Sequence, residues 1–312
     1  MREVIGSYKN GNYTVVILSD GTLIRACKDN VMIPEFPDSM DIKLTNKCSG
    51  TDCRYCHENS SERGKHGKIL NVPFLNSLHP YTQLAVGGGN VLEHPDFLPF
   101  LIWCKERKLI PSITLNQKHF MDNLQLIKDL ADKKLIYGIG VSLIYPTDEL
   151  INAVREFPNA VIHVIAGIVS KTELDRISDR GLKVLVLGYK QFRRGDEFYR
   201  SSPETQRRID SNINWLKDNL SEIAPHFDKI SFDNLAIKQL NVRSLMDDDA
   251  WERFYMGDDG QFTMYIDTVN EEFAVSSTTK KRFKYTNDMS IEDVFKIVRG
   301  EIAWDLMNTS CT

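Results

Sequence analysis

No apolar run in the chain approaches the ~18 residues that a bilayer-crossing helix needs, and the opening Met-Arg-Glu-Val-Ile-Gly carries no apolar signal-peptide core. The expected compartment is therefore the cytoplasm, with no membrane partner. A basic excess is also missing: 39 Lys and Arg stand against 43 Asp and Glu, a formal charge of −4, with a pI near 6.0. That gives no sign of nucleic-acid binding through a general positive field, leaving only a local basic groove open. Internal repeats and low-complexity tracts are absent, so nothing suggests a repeat array. Cysteine is scarce, six in 312 residues, and in a reducing compartment clustered cysteines are metal ligands or catalytic groups more often than disulfides.

What is present suits one sizeable globular domain with appendages, or two small domains: 42% of residues are hydrophobic and 26% charged. Three of the six cysteines fall in the stretch Asp41-Ile-Lys-Leu-Thr-Asn-Lys-Cys48-Ser-Gly-Thr-Asp-Cys53-Arg-Tyr-Cys56-His57, directly after an alternating, strand-like run. An iron–sulfur cube is closed by one Cys thiolate per iron. Three cysteines leave one iron without a protein ligand, the signature of a centre kept open for chemistry. Cys48, Cys53, Cys56 and His57 could instead form a zinc site, but adjacent Cys and His side chains do not readily share one tetrahedral ion.

Taken in order, residues 8–25 read as a β-hairpin, with alternation through Tyr13–Leu18, a turn at Asp20-Gly21 and a second turn signal at Asn10-Gly11. Pro34 and Pro37 break this N-terminal extension and lead into a strand at 40–45. Residues 58–68 are polar and Gly-rich, consistent with a mobile segment over a site. Strands are predicted at 82–86, 112–116, 136–143, 160–165, 182–187 and 229–233. Helices are predicted near 71–78, 95–107, 121–133, 148–157, 171–180 and 203–220. Such alternation argues for a parallel β/α architecture of about seven steps. From residue 236 the chain changes to a small α+β extension, with a β-hairpin at 261–267 and 272–276 and helices near 290–308. The expected organisation is a β-extension over 1–37, a parallel β/α unit over 38–235 and an extension over 236–312.

The three-cysteine loop after a first strand, with an aromatic (Tyr55) before the third cysteine, resembles the radical S-adenosylmethionine (SAM) superfamily. That family carries Cys-x3-Cys-x2-Cys, and this chain departs by one extra residue in the first gap, beside a Gly able to absorb it. A second likeness lies about 30 residues on, where a strand ends in Gly87-Gly88-Gly89-Asn90 before Glu93. The family's Gly-Gly-Glu segment there holds the methionine amino group, so Gly87, Gly88, Gly89 and Asn90 are implied to bind SAM, with Glu93 as an alternative side chain. In His163-Val-Ile165-Ala-Gly167, Ile165 and Gly167 match the family's fifth strand, whose isoleucine packs on adenine; His163 and Ser170 do not match. Ser170 is instead read as the N-cap of a Ser170-Lys-Thr-Glu173 capping box. Asn116 and Ser142 stand where members place ribose- or carboxylate-binding groups, and Leu187-Gly188-Tyr189-Lys190 lies where adenine would sit.

The resemblance implies an α/β fold built on a partial, six-stranded (β/α)6 TIM-like barrel, with the site at the carboxyl ends of its strands. It implies a 4Fe–4S cluster on Cys48, Cys53 and Cys56, reductive SAM cleavage to a 5′-deoxyadenosyl radical, and an electron donor of flavodoxin or ferredoxin type. The loop at 57–68 and the C-terminal segment are candidate lids against water and oxygen. Cys27 and Cys104 read as structural; Cys311 is a candidate thiol hydrogen donor, and Tyr189 a second candidate for a catalytic role. These three scattered cysteines cannot supply the auxiliary-cluster domain of many peptide-modifying members. That tilts the expected substrate toward a small molecule or nucleotide derivative, with a peptide, gripped by strand addition, as the alternative. In general style the chain is similar to compact members from phages and mobile elements. Two readings from other classes stay open: a zinc-stabilised binding module and a non-catalytic barrel scaffold.

Overall fold

The computed structural model of the chain describes residues 3–50 and 53–301. The alternation at Tyr13–Leu18 forms the middle strand of a three-stranded antiparallel sheet, β1 (Val4–Asn10), β2 (Tyr13–Leu18) and β3 (Leu23–Cys27). This is one strand more than the predicted hairpin. The extra strand, Val-Ile-Gly-Ser-Tyr-Lys-Asn, buries only Gly6 and Asn10, so no apolar alternation marks it. Gly6 is needed there because the Tyr81 ring lies over it, 2.4 Å from where a Cβ would stand. Tyr13, Val15 and Ile17 of β2 face inward and pack with Ile110 and Phe262 of the main body.

The main body is mixed α/β around a ten-stranded sheet: β4 (Ser39–Thr45), β5 (Gln83–Gly88), β6 (Ile110–Asn116), β7 (Gly138–Ser142), β8 (Ala160–Ile165), β9 (Lys183–Leu187), β10 (Lys229–Phe232), β11 (Thr263–Asp267), β12 (Glu272–Ala274) and β13 (Phe283–Lys284). Their order is β10-β9-β8-β7-β6-β5-β4-β11-β12-β13. All strands from β4 to β11 run parallel, and β12 and β13 return antiparallel. The predicted strands from 82 to 233 each contain or overlap one of these. The C-terminal hairpin is also present, but β11 pairs in parallel with β4, Ser39 against Thr263 and Lys43 against Asp267. It therefore extends the sheet itself.

Helices at 97–106, 124–132, 148–155, 171–177 and 203–223 cover the outer face. Their apolar stripes bury Phe100, Ile127, Leu150, Leu174 and Leu216 against outward strand residues such as Ile42, Val86, Ile113 and Val184, in one continuous core. Each such side chain removed from water contributes roughly 1.5–3 kcal/mol. Helix starts follow local chemistry: Ser170 and Glu173 form the predicted capping box, and Ser202 caps a helix with Pro203 in its first turn. The helix expected over 121–133 is divided at Asn123, whose backbone is non-helical (φ −130°). The one expected at 71–78 is a short 3-10 turn, Pro73–Ser77. Of the terminal helices, Ile291–Val298 is seen, and residues beyond 301 lie outside the described chain.

Asp38 joins the two sheets beneath the amino ends of β4 and β5. Its fully buried carboxylate accepts from Tyr8 Oη (3.0 Å), Asn10 Nδ2 (2.9 Å), Tyr13 Oη (2.9 Å) and Arg25 Nε (2.7 Å). Burial, and then the Asp38 charge, push both tyrosine hydroxyls above their usual titration range. The charge is thus fully hydrogen-bonded, the condition under which burying one is tolerable.

Candidate functional site

On a strand, alternate side chains face opposite ways. The residues of the parallel strands that face away from the helices are mostly small or polar: Ala85 and Gly87 on β5, Thr114 and Asn116 on β6, Gly140 and Ser142 on β7. A barrel filled by Val, Ile and Leu has no lumen; here the small residues leave a cavity of about 430 Å³. Its walls come from β4 to β9 and from β11, so the sheet curls around it. Gly140 has a specific reason: the His163 ring of β8 lies 2.2 Å from where its Cβ would be.

Cys48, Cys53 and Cys56 all open on the cavity and are half-buried, and none is in a disulfide. Asn116 caps the helix at 117–122 through Lys118 N (2.9 Å) and directs its Nδ2 at Cys53 Sγ (3.7 Å). The first, longer gap of the loop is held on two sides. Glu93 accepts from Ser49 N (2.9 Å) and Ser49 Oγ (2.8 Å), Asn90 Nδ2 braces Glu93 (2.9 Å), and His119 Nε2 meets Ser49 O (2.9 Å). Burial opposes ionisation of Glu93, but these contacts hold its carboxyl below the usual range.

The three glycines after β5 divide between two tasks. Gly89 N donates to Thr45 O (2.7 Å), and a Cβ on Gly89 would stand 2.1 Å from Lys47 O. Gly88, at φ +113°, is likewise pressed to 2.2 Å from Thr45 O. These two let β5 approach the entry to the cysteine loop. Gly87 meets nothing within 4 Å and leaves bare backbone facing the cavity.

Residues 58–68, expected to be loose, are tied down. Ser61 O accepts from Cys48 N (2.9 Å) and Ser61 N donates to Asn46 O (2.9 Å). The glycines behind the expectation serve close approach: Gly64 against Asn46 and Gly67 against Thr268. Glu58 and Ser60 are buried.

A charged cluster lines the same cavity. Lys43, 2% exposed, bridges Glu58 (3.2 Å) and Asp267 (3.1 Å), and Tyr265 Oη donates to Glu58 Oε2 (3.1 Å). Burial works against the Glu58 charge, yet His57 and Lys43 hold its carboxyl well below the carboxylate range. Asp41 lines the cavity; burial there and nearby carboxylates push it up to about 6 against the pull of Lys190. Burial and Lys190 push His163 down to about 4, so its ring is neutral at physiological pH. Lys190, just beyond β9, donates to Ser277 Oγ (3.2 Å) and meets His57 Nε2 (3.5 Å).

Of the residues singled out from sequence, Cys48, Cys53, Cys56, Tyr55, Gly87, Gly88, Gly89, Asn116, Ser142, Ile165, Leu187 and Tyr189 line this one cavity. Tyr189 Oη is engaged by Gly195 O at 2.7 Å. Asn90 and Gly167 stand outside the lining: Asn90 braces Glu93, and Gly167, at φ +88°, packs against Ile209. Cys311 lies outside the described residues. Among the described residues, no three His, Cys, Asp or Glu side chains converge tightly enough to hold one metal ion. A cube, however, takes one thiolate per iron, and three thiols opening on a shared cavity fit that donor set.

Sequence reading passed over Asp41, Lys43, Glu58, Tyr265 and Ser277. A signal existed for the first four. Asp41 and Lys43 interrupt an otherwise apolar strand at alternate positions, as Tyr265 and Asp267 do in β11, and Glu58 follows the cysteine loop directly.

No family model and no curated protein matches the chain by sequence. Its fold is similar to that of SuiB of Streptococcus suis. The structure of SuiB bound to precursor peptide SuiA matches with a TM-score of 0.59 and 13% identity, over 99% of this chain and 91% of that one. SuiB by itself matches at 0.55 and 13%, over 97% and 89%. SuiB bound to S-adenosylmethionine matches at 0.52 and 15%, over 89% and 69%. At these identities the likeness is one of fold, and it takes in both flanking segments as well as the parallel sheet.

Proposed function

We propose that the chain is a radical SAM enzyme acting on a peptide, with β4 to β9 as the six strands of a (β/α)6 partial barrel over residues 38–235. The observation that carries the reading is the convergence of the three cysteines, Tyr55, Gly87, Asn116, Ser142, Ile165 and Leu187, from separate strands, on one cavity. Cys48, Cys53 and Cys56 would hold a 4Fe–4S cluster with one iron open. Together with SAM, such a centre supplies one-electron reductive cleavage and a hydrogen-abstracting radical. The chain's own residues do the rest. Gly87 offers bare backbone to the methionine amino group, Ile165 and Leu187 give apolar surface for adenine, and Asn116 and Ser142 offer polar groups to ribose or carboxylate. The electron would come from a flavodoxin- or ferredoxin-like donor.

The substrate reading shifts from the small molecule favoured by sequence to a peptide. SuiB is known in complex with a precursor peptide, and the match to that complex extends across the whole described chain. The missing auxiliary cysteines argue about a further cluster and leave the substrate class open.

The test is anaerobic reconstitution with iron and sulfide, then dithionite and SAM, with chromatography for 5′-deoxyadenosine. The expected outcome is a brown protein that yields this product, and a Cys53→Ala variant that folds but yields none. A colourless, zinc-bearing protein giving no product would refute the reading in favour of a structural cysteine loop.

A further inference from the structure

Hydrogen-bond donors along one wall of the cavity are left unmet. The Lys190 ammonium has three N–H groups; two are directed at Ser277 Oγ and His57 Nε2, and among the described residues no carboxylate lies within ion-pair distance of it. Asp41 looks across from β4 without such a contact. Arg194, at the start of the helix that follows, gives Nη2 to Ser60 O, but its Nε is buried with no partner, and so is Ser60 Oγ. The two segments are in contact, since Gly195 rests against the Lys190 carbonyl. Lys190, Arg194, Ser60 and Ser277 all line the cavity. By contrast, Lys43 is already satisfied by Glu58 and Asp267. Buried polar groups are nearly always hydrogen-bonded, so Arg194 Nε and Ser60 Oγ, buried without partners beside the half-buried Lys190 ammonium, mark a place for an acceptor.

We propose that this wall is a subsite for a carboxylate carried by the substrate, held by Lys190 and supported by Arg194 and Ser60; in a peptide, an Asp or Glu side chain or the chain's own carboxyl end. The donor set is one ammonium, one guanidinium N–H and one hydroxyl, which suits the two oxygens of a monoanion. Asp41 and Glu58, which line the same cavity, repel a dianion more strongly than a monoanion. The substrate class rests on the enzyme reading above, while the anion preference rests on the wall alone.

The experiment uses the reconstituted full chain and three small probes: N-acetylglutamate amide, its neutral isostere N-acetylglutamine amide, and N-acetylglycine. Binding is read by saturation-transfer NMR. The acidic side-chain probe should bind about tenfold more tightly than its neutral isostere, the scale of one charge-assisted hydrogen bond. Lys190→Ala should erase the difference and Lys190→Arg should keep part of it, while SAM affinity by equilibrium dialysis moves little. Preferred binding of N-acetylglycine would assign the wall to a peptide carboxyl end instead of a side chain, within the same proposal. Equal binding of acidic and neutral probes would overturn the proposal. So would loss of SAM affinity in Lys190→Ala, which would assign Lys190 to the SAM carboxylate. Should Lys190→Ala fail to fold, Ser277→Ala removes an anchor of the ammonium and should lower the preference severalfold. Acid-selective binding in a protein that makes no 5′-deoxyadenosine would sustain the subsite and refute the enzyme reading.

Discussion

Gly88 and Gly89 on one side and Gly87 on the other look interchangeable along the chain, yet their surroundings oppose one another. A methyl group at position 89 would overlap Lys47 O at 2.1 Å, and one at 87 would enter open cavity. Gly89→Ala is therefore expected to destabilise the fold by about 2 kcal/mol or more, since backbone must move to admit it. Gly87→Ala should leave stability within about 0.5 kcal/mol, as for a substitution that clashes with nothing, while weakening SAM binding severalfold. Thermal denaturation and equilibrium dialysis together check the pair; a Gly87→Ala variant with unaltered SAM affinity would remove this glycine from the binding surface. The triplet was legible in the sequence. Its division of labour was not, because the clash partners, Thr45 and Lys47, approach only when β5 lies beside β4.

Among elements, the cysteine loop shows how a departure in the sequence is accommodated. The extra residue between Cys48 and Cys53 lengthens a segment that must present three thiols together, and Ser49 is held there by Glu93 from one side and His119 from the other. Glu93→Ala removes two hydrogen bonds and the brace from Asn90. Its expected effect is iron and sulfide content reduced by about half after identical reconstitution, on the pattern in which outer residues orient metal ligands. The measurement is iron analysis with absorbance near 400 nm, alongside circular dichroism to establish folding; full loading would show that the loop holds its shape without the clamp. Asn90, which the resemblance offered together with Glu93 as a side chain for the methionine moiety, does not line the cavity and braces Glu93. One position along the chain turns a side chain from the cavity to its support.

At the scale of the whole molecule, the last quarter of the chain belongs to the same sheet as the first parallel strand. β11 lies against β4, and the buried Lys43 ammonium takes one of its two carboxylates, Asp267, from there. A chain shortened to residues 1–235 would uncover the edge of β4 and leave Lys43 with Glu58 alone. Breaking a buried ion pair costs roughly 3–5 kcal/mol, before the loss of the apolar contacts of Ile266 and Phe273 is counted. Such a chain is expected to aggregate or to melt without a cooperative transition. A cooperative melt near the full-length temperature would show instead that 38–235 is an independent unit and 236–312 an addition to it.

The sequence by itself determined most of what is local. The succession of strand-like and helix-like segments marked the strands from β4 to β10, the Ser170–Glu173 capping box marked a helix start, and three thiols, one aromatic and three glycines carried the resemblance that named the chemistry to look for. These signals lie within a few residues of one another, so no other part of the chain is needed to read them. Only the tertiary structure decided which residues share the cavity, that β11 closes on β4 more than 200 residues away, and that Lys43, Glu58 and Asp267 form one network. Parallel pairing between distant segments leaves no periodic trace in either one. A buried lysine looks like any surface lysine until its counter-charges arrive from elsewhere in the chain.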